Sequence, residues 1–328
     1  MRLLPGGCYG EDSIHSLHTV IMPKFAVSAF YKFMPLPSFA ALRKPLQALC
    51  DTHGIKGILL LAPEGINGTL AGPADELAIV TAEIRRILGR DDIDEKISRA
   101  ESLPFLRMKV RLKTEIVTIG DTSVDPLEQT GIEVEPEDWN ALVVDPDVVV
   151  IDVRNDFECA VGSFAGAIDP DTASFGEFPA FVRETLDPRR HKKVAMFCTG
   201  GIRCEKASSF MLREGFEQVY QLKGGILAYL DRISVEESLW RGACFVFDQR
   251  VALGHGLEIA DLSTCFGCRH PLSVDDRTSS EYEEGVSCPH CKDRLTPEQK
   301  ASARERHRQV KLAEKQGIRH LGTATQQA

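Results

Sequence analysis

The sequence predicts a mixed protein of several domains: an α+β domain, an α/β domain with a parallel sheet, and a small cysteine-rich region. Three observations support this prediction. Strand-like and helical stretches alternate as βαββαβ up to residue 120, buried strands alternate with helices from residue 133 to 236, and two C-x-x-C pairs follow residue 237. The 328 residues suffice for two or three domains, since a domain typically takes about 100–200 residues.

The composition is that of a globular protein, with 43% hydrophobic residues. No run approaches the roughly 20 apolar residues that cross a bilayer, so we expect no contact with membranes. The net charge of −9 argues against broad, nonspecific nucleic-acid binding but allows a local basic patch. Ten cysteines in a large chain without a recognisable secretion signal favour a reducing, cytoplasmic location.

Residues 1–21 are interpreted as an extension without the apolar core of a secretion signal, and Met22 is a candidate start. Residues 22–120 form the first predicted domain. Its strands and helices are predicted, in order, at Phe25–Phe33, Pro37–His53, Gly57–Ala62, Gly68–Gly72, Pro73–Leu88 and the final strand RMKVRLK. The order βαββαβ is that of a ferredoxin-like (acylphosphatase-like) domain.

The final strand of this domain carries four basic residues at every second position: Arg107, Lys109, Arg111 and Lys113. Because strand side chains alternate between the two faces of a sheet, these four residues share one face, while Met108, Val110 and Leu112 share the other. Like charges in a row are tolerated where the face is solvated or where it meets phosphates. The strand is therefore a candidate RNA-binding surface.

Residues 121–132 are rich in acidic residues, Pro and Gly, and are interpreted as a linker to a second domain at residues 133–236. VVVID, KVAMF and FEQVYQL are predicted parallel strands separated by helices. Asp152, Arg154 and Glu158 are interpreted as a structural ion-pair set. The active site of such a sheet is expected at the carboxyl ends of its strands.

Cys198 stands at one such strand end, in the segment Lys193–Gly215. The strand KVAMF is followed by Cys198, then by Thr199, Gly200, Gly201, Ile202 and Arg203, and then by a predicted helix from Cys204 to Arg213. The N–H groups of the glycine-rich loop and the positive end of the helix dipole favour a thiolate, and Arg203 adds a charge. Such settings lower a thiol pKa from about 8.5 to roughly 3.5–7.5. The alternative is a buried structural cysteine.

Cys204 lies on the first turn of that helix and is either a spacer or an accessory, resolving thiol.

Residues 237–328 form the cysteine-rich region. Four cysteines, Cys265, Cys268, Cys288 and Cys291, have the C-x2-C-x15-20-C-x2-C spacing of a structural zinc site. The polar helix predicted at Arg304–Lys315 is either solvated or a second phosphate contact, and a disordered tail is predicted from Gly322.

The cysteine loop, Asp152-x-Arg154 and Gly224-Gly225 together resemble a rhodanese domain. In that family a six-residue loop suits sulfur transfer, whereas related phosphatases use a loop one residue longer. Cys198 to Arg203 is six residues long.

A narrower resemblance rests on five ordered motifs: KFAVSAFYKF, EGINGTLAG, MKVRLKTEIVTIG, CTGGIRCEKAS and C-F-G-C with C-P-H-C. Together they are similar to the bacterial rhodanese-domain tRNA uridine hydroxylases, over about Met22 to Gly317. The resemblance implies oxygen-dependent conversion of the wobble uridine, in the anticodon loop of a tRNA, to 5-hydroxyuridine, with Cys198 as the essential cysteine. Cys159 and Gly176 depart from the family pattern, which has an aromatic residue and Arg at these positions.

Two chemical routes are open for such a reaction. A Cys198 thiolate could add to C6 of uracil and make C5 electron-rich, or a Cys198 sulfenic acid could deliver oxygen. Arg203 would then orient a phosphate or polarise a uracil carbonyl. The sequence shows no flavin, haem or redox-iron signature, so the electron donor stays open.

Two functions of other classes remain alternatives. A sulfurtransferase needs only Cys198 and its loop, and would carry a persulfide. A redox or protein-binding module would use the flanking domains for docking and would leave tRNA nucleosides unchanged when Cys198 is removed.

Overall fold

The structure, a computed structural model, describes residues 24–316. The predicted N-terminal extension, residues 1–21, and the tail from Gly322 lie outside the described residues. The described chain forms two sheet-containing units and a cysteine-rich region, in agreement with the fold class that the sequence predicts.

The first unit is a five-stranded sheet with two helices. Its elements are β1 (Phe25–Phe33), α1 (Phe39–Thr52), β2 (Lys56–Ala62), β3 (Gly65–Gly72), α2 (Ala74–Leu88), β4 (Asp94–Ala100) and β5 (Met108–Leu112). The strand order is β4-β1-β3-β2-β5. The first four strands have the ferredoxin-like βαββαβ connectivity, and β5 pairs parallel to β2 at the edge.

One strand of this sheet was missed by the sequence analysis. The βαββαβ unit closes with β4, Asp94–Ala100, and the basic segment is a fifth strand at the opposite edge. Strand β4 has the sequence DEKISRA. It is difficult to predict because this edge strand buries only Ala100, while Ile97 is 52% exposed. An edge strand that buries so little lacks the apolar alternation from which strands are predicted.

Both helices cover the same face of the sheet. Met108 and Val110 of β5 pack in that core with Leu46 of α1 and Val80 of α2. Neither helix of this unit covers the opposite face, and the register places one row across it: Lys96, Ala29, Thr69, Ile58 and Lys109, one residue from each strand. We call this surface the open sheet face.

The second unit is a four-stranded parallel sheet of order β6-β10-β9-β7. The sequence predicts the parallel strands β7, β9 and β10 but not β6. Its elements are β6 (Ile132–Val134), α3 (Pro136–Val144), β7 (Val148–Asp152), α4 (Asp156–Cys159), β8 (Gly162–Phe164), α5 (Phe178–Thr185), β9 (Lys193–Phe197), α6 (Ile202–Arg213), β10 (Gln218–Leu222) and α7 (Gly225–Arg232). One core includes residues of α5 and α6, and another includes residues of α3 and α7. The segment before β6 is packed too, since Ile119 and Val124 lie in the first of these cores.

The C-terminal region contains short strands and two helices: β11 (Trp240–Gly242), β12 (Cys244–Phe245), β13 (Ala252–Leu253), β14 (Ser263–Thr264), β15 (Pro271–Leu272), α8 (Val274–Thr278) and α9 (Pro297–Lys315). Strand β11 pairs with β8 of the second unit. Between residues 24 and 316, no helix combines the length and the apolar character needed to cross a membrane.

Candidate active site

Cys198 lies where strand β9 ends and helix α6 is about to begin. Residues 198–201 make the turn, and Ile202 is the first helical residue. Gly201 has a φ of 100°, which L side chains rarely adopt, so glycine is required there. The cysteine therefore occupies the strand-to-helix turn that the sequence predicts.

The segment that follows Gly224-Gly225 holds this turn through two hydrogen bonds. The N–H groups of Ile226 and Leu227 donate to the carbonyl oxygens of Cys198 and Thr199 at 2.9 and 3.1 Å. A β-carbon on Gly225 would lie 2.5 Å from the Cys198 carbonyl oxygen. Gly225 is therefore needed for the close approach of the two loops.

The environment of Cys198 favours the thiolate. Burial alone would raise the pKa of this thiol, but hydrogen bonds from Cys204 and the nearby charge of Arg203 overcome that effect and lower the pKa to about 5. The backbone N–H of Gly201 also donates to Sγ at 3.2 Å. At neutral pH Cys198 is thus a thiolate, the nucleophilic form of the side chain.

Cys204 has the opposite character. Burial and the neighbouring Cys198 raise the pKa of its thiol well above the ordinary value. Cys204 therefore stays protonated and serves as a hydrogen-bond donor to Cys198. This hydrogen bond lowers the pKa of Cys198.

Arg203 is held by Glu158. Its guanidinium donates to both carboxylate oxygens at 2.6 and 2.8 Å, and also to Thr199 Oγ1 at 3.2 Å. Burial alone would raise the pKa of Glu158, but the charge of Arg203 and its hydrogen bonds lower it. Arg203 is only 8% exposed. With both carboxylate bonds made, it is placed to stabilise Cys198 and the loop rather than to receive a phosphate.

Glu158 therefore does not belong to the ion-pair set in which the sequence analysis placed it. Asp152 and Arg154 form a separate, fully buried bidentate pair, with N–O distances of 2.8 and 2.6 Å. Ser163 also donates to Asp152 at 2.8 Å. This pair fixes the loop after β7, whereas Glu158 belongs to the thiolate site.

A cavity of about 630 Å³ lies between Cys198 and the open sheet face. Its lining includes Tyr31, Ile58, Leu60 and Lys113 from the first unit, Cys198, Thr199 and Arg203 from the second, and Phe247 and Arg250 from the C-terminal region. This volume falls within the range of about 300–1,000 Å³ typical of small-molecule sites. The walls are mainly apolar, and Cys198 is among the lining residues although it is fully buried.

Buried polar contacts hold the two units in this arrangement. Lys206 of α6 is fully buried and pairs with Glu115 at 2.5 Å and Glu64 at 2.8 Å. Tyr31 of β1 donates to Glu205 of α6 at 3.3 Å. The relative position of the open sheet face and the cysteine loop is thus fixed by ion pairs and hydrogen bonds between the units.

The basic strand lies on the same open face. Arg107, Arg111 and Lys113 are exposed and Lys109 is half-buried, while Met108 and Val110 point into the core, as the alternation predicts. Burial and the charges of Arg107 and Arg111 lower the pKa of Lys109. None of the four basic residues forms an ion pair with any residue in the described part of the chain. Only Lys113 lines the cavity, and the other three extend along the edge strand.

The four cysteines of the C-terminal region converge. The Sγ atoms of Cys265, Cys268, Cys288 and Cys291 all lie within 4.8 Å of one another. A tetrahedral Zn²⁺ with Zn–S bonds of about 2.3 Å requires sulfur atoms at about this spacing. The four residues therefore fit a metal ion with four thiolate ligands.

Several site residues escaped the sequence analysis. Tyr31, Phe247 and Arg250 line the cavity, yet they come from segments far from Cys198 in sequence. Alternation along β1 places Tyr31 on the face opposite Phe30, but nothing in the sequence shows what that face meets. Gly176 lines the cavity as well, and a β-carbon there would meet no atom closer than 3.8 Å.

Comparisons with known proteins agree with this architecture. Residues 25–116 match the model of the UPF0176 acylphosphatase-like domain, and residues 135–232 match that of the rhodanese-like domain. A tRNA uridine(34) hydroxylase of Sinorhizobium fredii is 54% identical over 92% of this chain and 96% of its own. A tRNA uridine(34) hydroxylase of Brucella ovis is 53% identical over 91% of this chain and 98% of its own.

The fold and the site define a rhodanese-type protein in which an acylphosphatase-like domain faces the cysteine loop. The identity extends over nearly the full length of the relatives and includes both domains. The chain belongs to the tRNA uridine(34) hydroxylase family.

Proposed function

We propose that this protein is an oxidoreductase that converts the wobble uridine of tRNA, position 34 in the names of its relatives, to 5-hydroxyuridine with molecular oxygen. One observation carries the proposal: Cys198, a cysteine with a lowered pKa, is among the residues that line a cavity of about 630 Å³, and the cavity is also lined by a sheet with a basic edge strand. The partner is the anticodon loop, and the activity belongs in the cytoplasm.

The basic strand would hold the RNA backbone. Arg107, Lys109, Arg111 and Lys113 are without ion-pair partners among residues 24–316, so their charges are available to phosphates. The anticodon loop is single-stranded, and a base can leave its stack there at little cost. Contact with phosphates along β5 would bring such a base to the cavity that Lys113 borders.

Cys198 would act as the nucleophile. Its thiolate adds to C6 of uracil, forming a C–S bond and placing the electron pair of the C5–C6 double bond on C5. This carbanion takes up O₂ and a proton to give a C5 hydroperoxide. A dithiol reductant then cleaves the O–O bond, leaving C5–OH, water and a disulfide. Loss of the C5 proton and departure of the thiolate restore the double bond.

The overall reaction balances as uridine, O₂ and two thiols giving 5-hydroxyuridine, water and one disulfide. Dithiols also return oxidised cysteines to the thiol. Arg203, held by Glu158, stabilises the thiolate before attack and after its departure. The apolar walls limit access of water to the carbanion, which a proton from water would otherwise quench.

The state of Cys198 favours addition of the thiolate to C6 over oxygen delivery by a sulfenic acid. Against the effect of burial, the hydrogen bond from Cys204 and the charge of Arg203 lower the pKa of Cys198, and the thiolate is the nucleophilic form. Burial raises the pKa of the Cys204 thiol, so Cys204 supports this thiolate as a hydrogen-bond donor. Addition to C6 uses the thiolate directly and does not require that an oxygen first be placed on sulfur.

The four-cysteine cluster would hold zinc in a structural role. Four thiolates complete a tetrahedral shell and leave no position for substrate. The burial of Cys265, Cys288 and Cys291 also suits a closed site. The metal would stabilise the C-terminal fold that presents Phe247 and Arg250 to the cavity.

Mass spectrometry of tRNA nucleosides tests the function. Cells in which Cys198→Ala replaces the native protein should lack 5-hydroxyuridine and its derivatives, whereas Cys50→Ala, which changes a cysteine in the core of the first unit, should retain them. Purified protein with a dithiol should form the product in air and not under nitrogen. Persistence of the nucleoside with Cys198→Ala would reject the proposal, and cyanide-labile sulfur on Cys198 without any hydroxylation would favour a sulfurtransferase.

A further inference from the structure

Phe247 is an exposed aromatic ring at the edge of the cavity. It lines the same space as Cys198, yet 65% of the residue is exposed to solvent. The other described aromatic residues of the lining are covered: Phe30 and Phe175 are buried, and Tyr31 is partly buried with its hydroxyl bound to Glu205. Phe247 is therefore the aromatic ring in this lining that is most available to a ligand.

The segment that carries Phe247 is anchored. Arg250 forms a bidentate pair with Asp248 at 2.9 and 2.6 Å and donates to Ser98 of β4 at 2.7 Å. The N–H of Gln249 donates to the carbonyl of Pro104 at 3.1 Å. These contacts attach the segment to the first unit, so the exposed ring is presented from a fixed position.

Two further rings support Phe247. Phe245 and Phe157 lie with centroids 5.1 and 6.5 Å away, at interplanar angles of 87° and 89°. Aromatic pairs prefer edge-to-face arrangements of this kind, so the two contacts favour one orientation of the ring. The orientation of Phe247 is thus set by the protein before a ligand arrives.

An anchored, oriented and exposed ring that lines the same cavity as a nucleophile suits a flat ligand. Bases stack on aromatic side chains because every base has a π face. A uracil attacked at C6 presents one face to the thiolate, which leaves its other face free for stacking. The surrounding lining is aliphatic at Ile58 and Leu60, and such side chains lack the π face.

We propose that Phe247 is the stacking platform that receives the target uracil once it has left the anticodon stack. This inference rests on the proposed function, since it assumes that RNA is the substrate. Phe247 acts as a positioning residue: it holds the base while Cys198 does the chemistry.

The Phe247→Trp variant places a fluorescent side chain at the position of the platform, so that stacking can be measured directly. Without reductant, its fluorescence should be quenched by an anticodon stem-loop RNA with uridine at position 34, and much less by the same RNA with an abasic nucleotide there. Wild-type protein, with Trp139 and Trp240 buried, is the background control. Equal quenching by both RNAs would overturn the proposal.

Turnover provides the second readout. Phe247→Leu keeps an apolar side chain but removes the ring, and should lower kcat/KM about 5- to 150-fold, corresponding to 1–3 kcal/mol. Phe247→Trp should retain most of the activity, and both variants should remain folded at the assay temperature, although Phe247→Leu loses the ring contacts with Phe245 and Phe157. If Phe247→Leu turns over as fast as wild type, the stacking role of Phe247 is rejected but the proposed function is not. If the wild-type protein hydroxylates no tRNA, the proposed function itself is rejected.

Discussion

Tyr31 and Gly201 are separated by 170 positions in the sequence, yet a β-carbon on Gly201 would lie 2.9 Å from the Tyr31 hydroxyl oxygen. The open sheet face thus touches the backbone of the cysteine loop itself. This contact makes the geometry of the loop depend on the first unit.

Gly201→Ala should therefore be costly. Its φ of 100° is strained for alanine by about 1–3 kcal/mol, and the methyl group would press on Tyr31. We expect a loss of that size in the free energy of unfolding, measured with urea, and a lower kcat. Gly200→Ala is the matched control, because a β-carbon there meets no atom within 4 Å.

The double variant with Tyr31→Phe separates the two causes. Removing the hydroxyl should recover the part of the loss that is due to contact and leave the backbone strain. Equal stability of Gly200→Ala and Gly201→Ala would show that neither effect operates.

The reactivity of Cys198 should persist to unusually low pH. Its pKa of about 5 lies below the ordinary 9.0, so the thiolate is present above about pH 5 and is lost as the pH falls through that value. The alkylation rate of Cys198 by iodoacetamide, followed by peptide mass spectrometry, should show its midpoint near pH 5. In Arg203→Met, where the nearby positive charge is absent, the midpoint should move to higher pH. A wild-type midpoint near pH 8 to 9 would contradict the thiolate assignment.

Lys206 should be needed for the docking of the two units. Replacing it with Met leaves Glu115, which is 4% exposed, without its cation, and breaking a buried pair typically costs about 3–5 kcal/mol. We expect the free energy of unfolding, measured with urea, to fall by that amount, and we expect the first unit to unfold in a separate transition. Lys192→Met, at an exposed position, should change little, and a similarly small change in Lys206→Met would count against the docking role.

Charge reversal on β5 should weaken tRNA binding. Each lost phosphate contact should reduce the slope of log K against log salt by about 0.7–0.9, so Lys109→Glu with Arg111→Glu should reduce it by roughly twice that. Fluorescence anisotropy at several salt concentrations provides the slope. The control, Arg190→Glu with Lys192→Glu, changes exposed residues in the loop before β9, at the end of that strand remote from Cys198. The assignment fails if both double variants bind alike.

The four-cysteine cluster should hold about one zinc ion per chain, which elemental analysis would detect. Chelation should expose four additional thiols to a thiol reagent, and Cys288→Ser should reduce the bound zinc. Cys50→Ser should leave the metal content unchanged. The zinc site would be excluded if the purified protein contained no metal and the four cysteines of the cluster reacted with the thiol reagent before any chelator was added.

Most of the fold could be predicted from local sequence patterns. The turn at Cys198, the parallel strands and the alternation of Met108 and Val110 with basic residues all follow from short-range periodicity. Strand β4 escaped because its exposed edge position removes the apolar pattern. The pairing of Glu158 with Arg203, 45 positions apart, and the presence of Phe247 and Cys198 in the lining of one cavity depend on tertiary packing that no local pattern records.

The cavity draws its walls from three separate segments of the chain, and only one of them carries the nucleophile. Residues such as Ile58 on β2 and Thr69 on β3 can change without altering the hydrogen bonds that lower the pKa of Cys198. The shape of the cavity and the reactivity of the sulfur are therefore separable traits, and selection or engineering can alter one while the other is conserved.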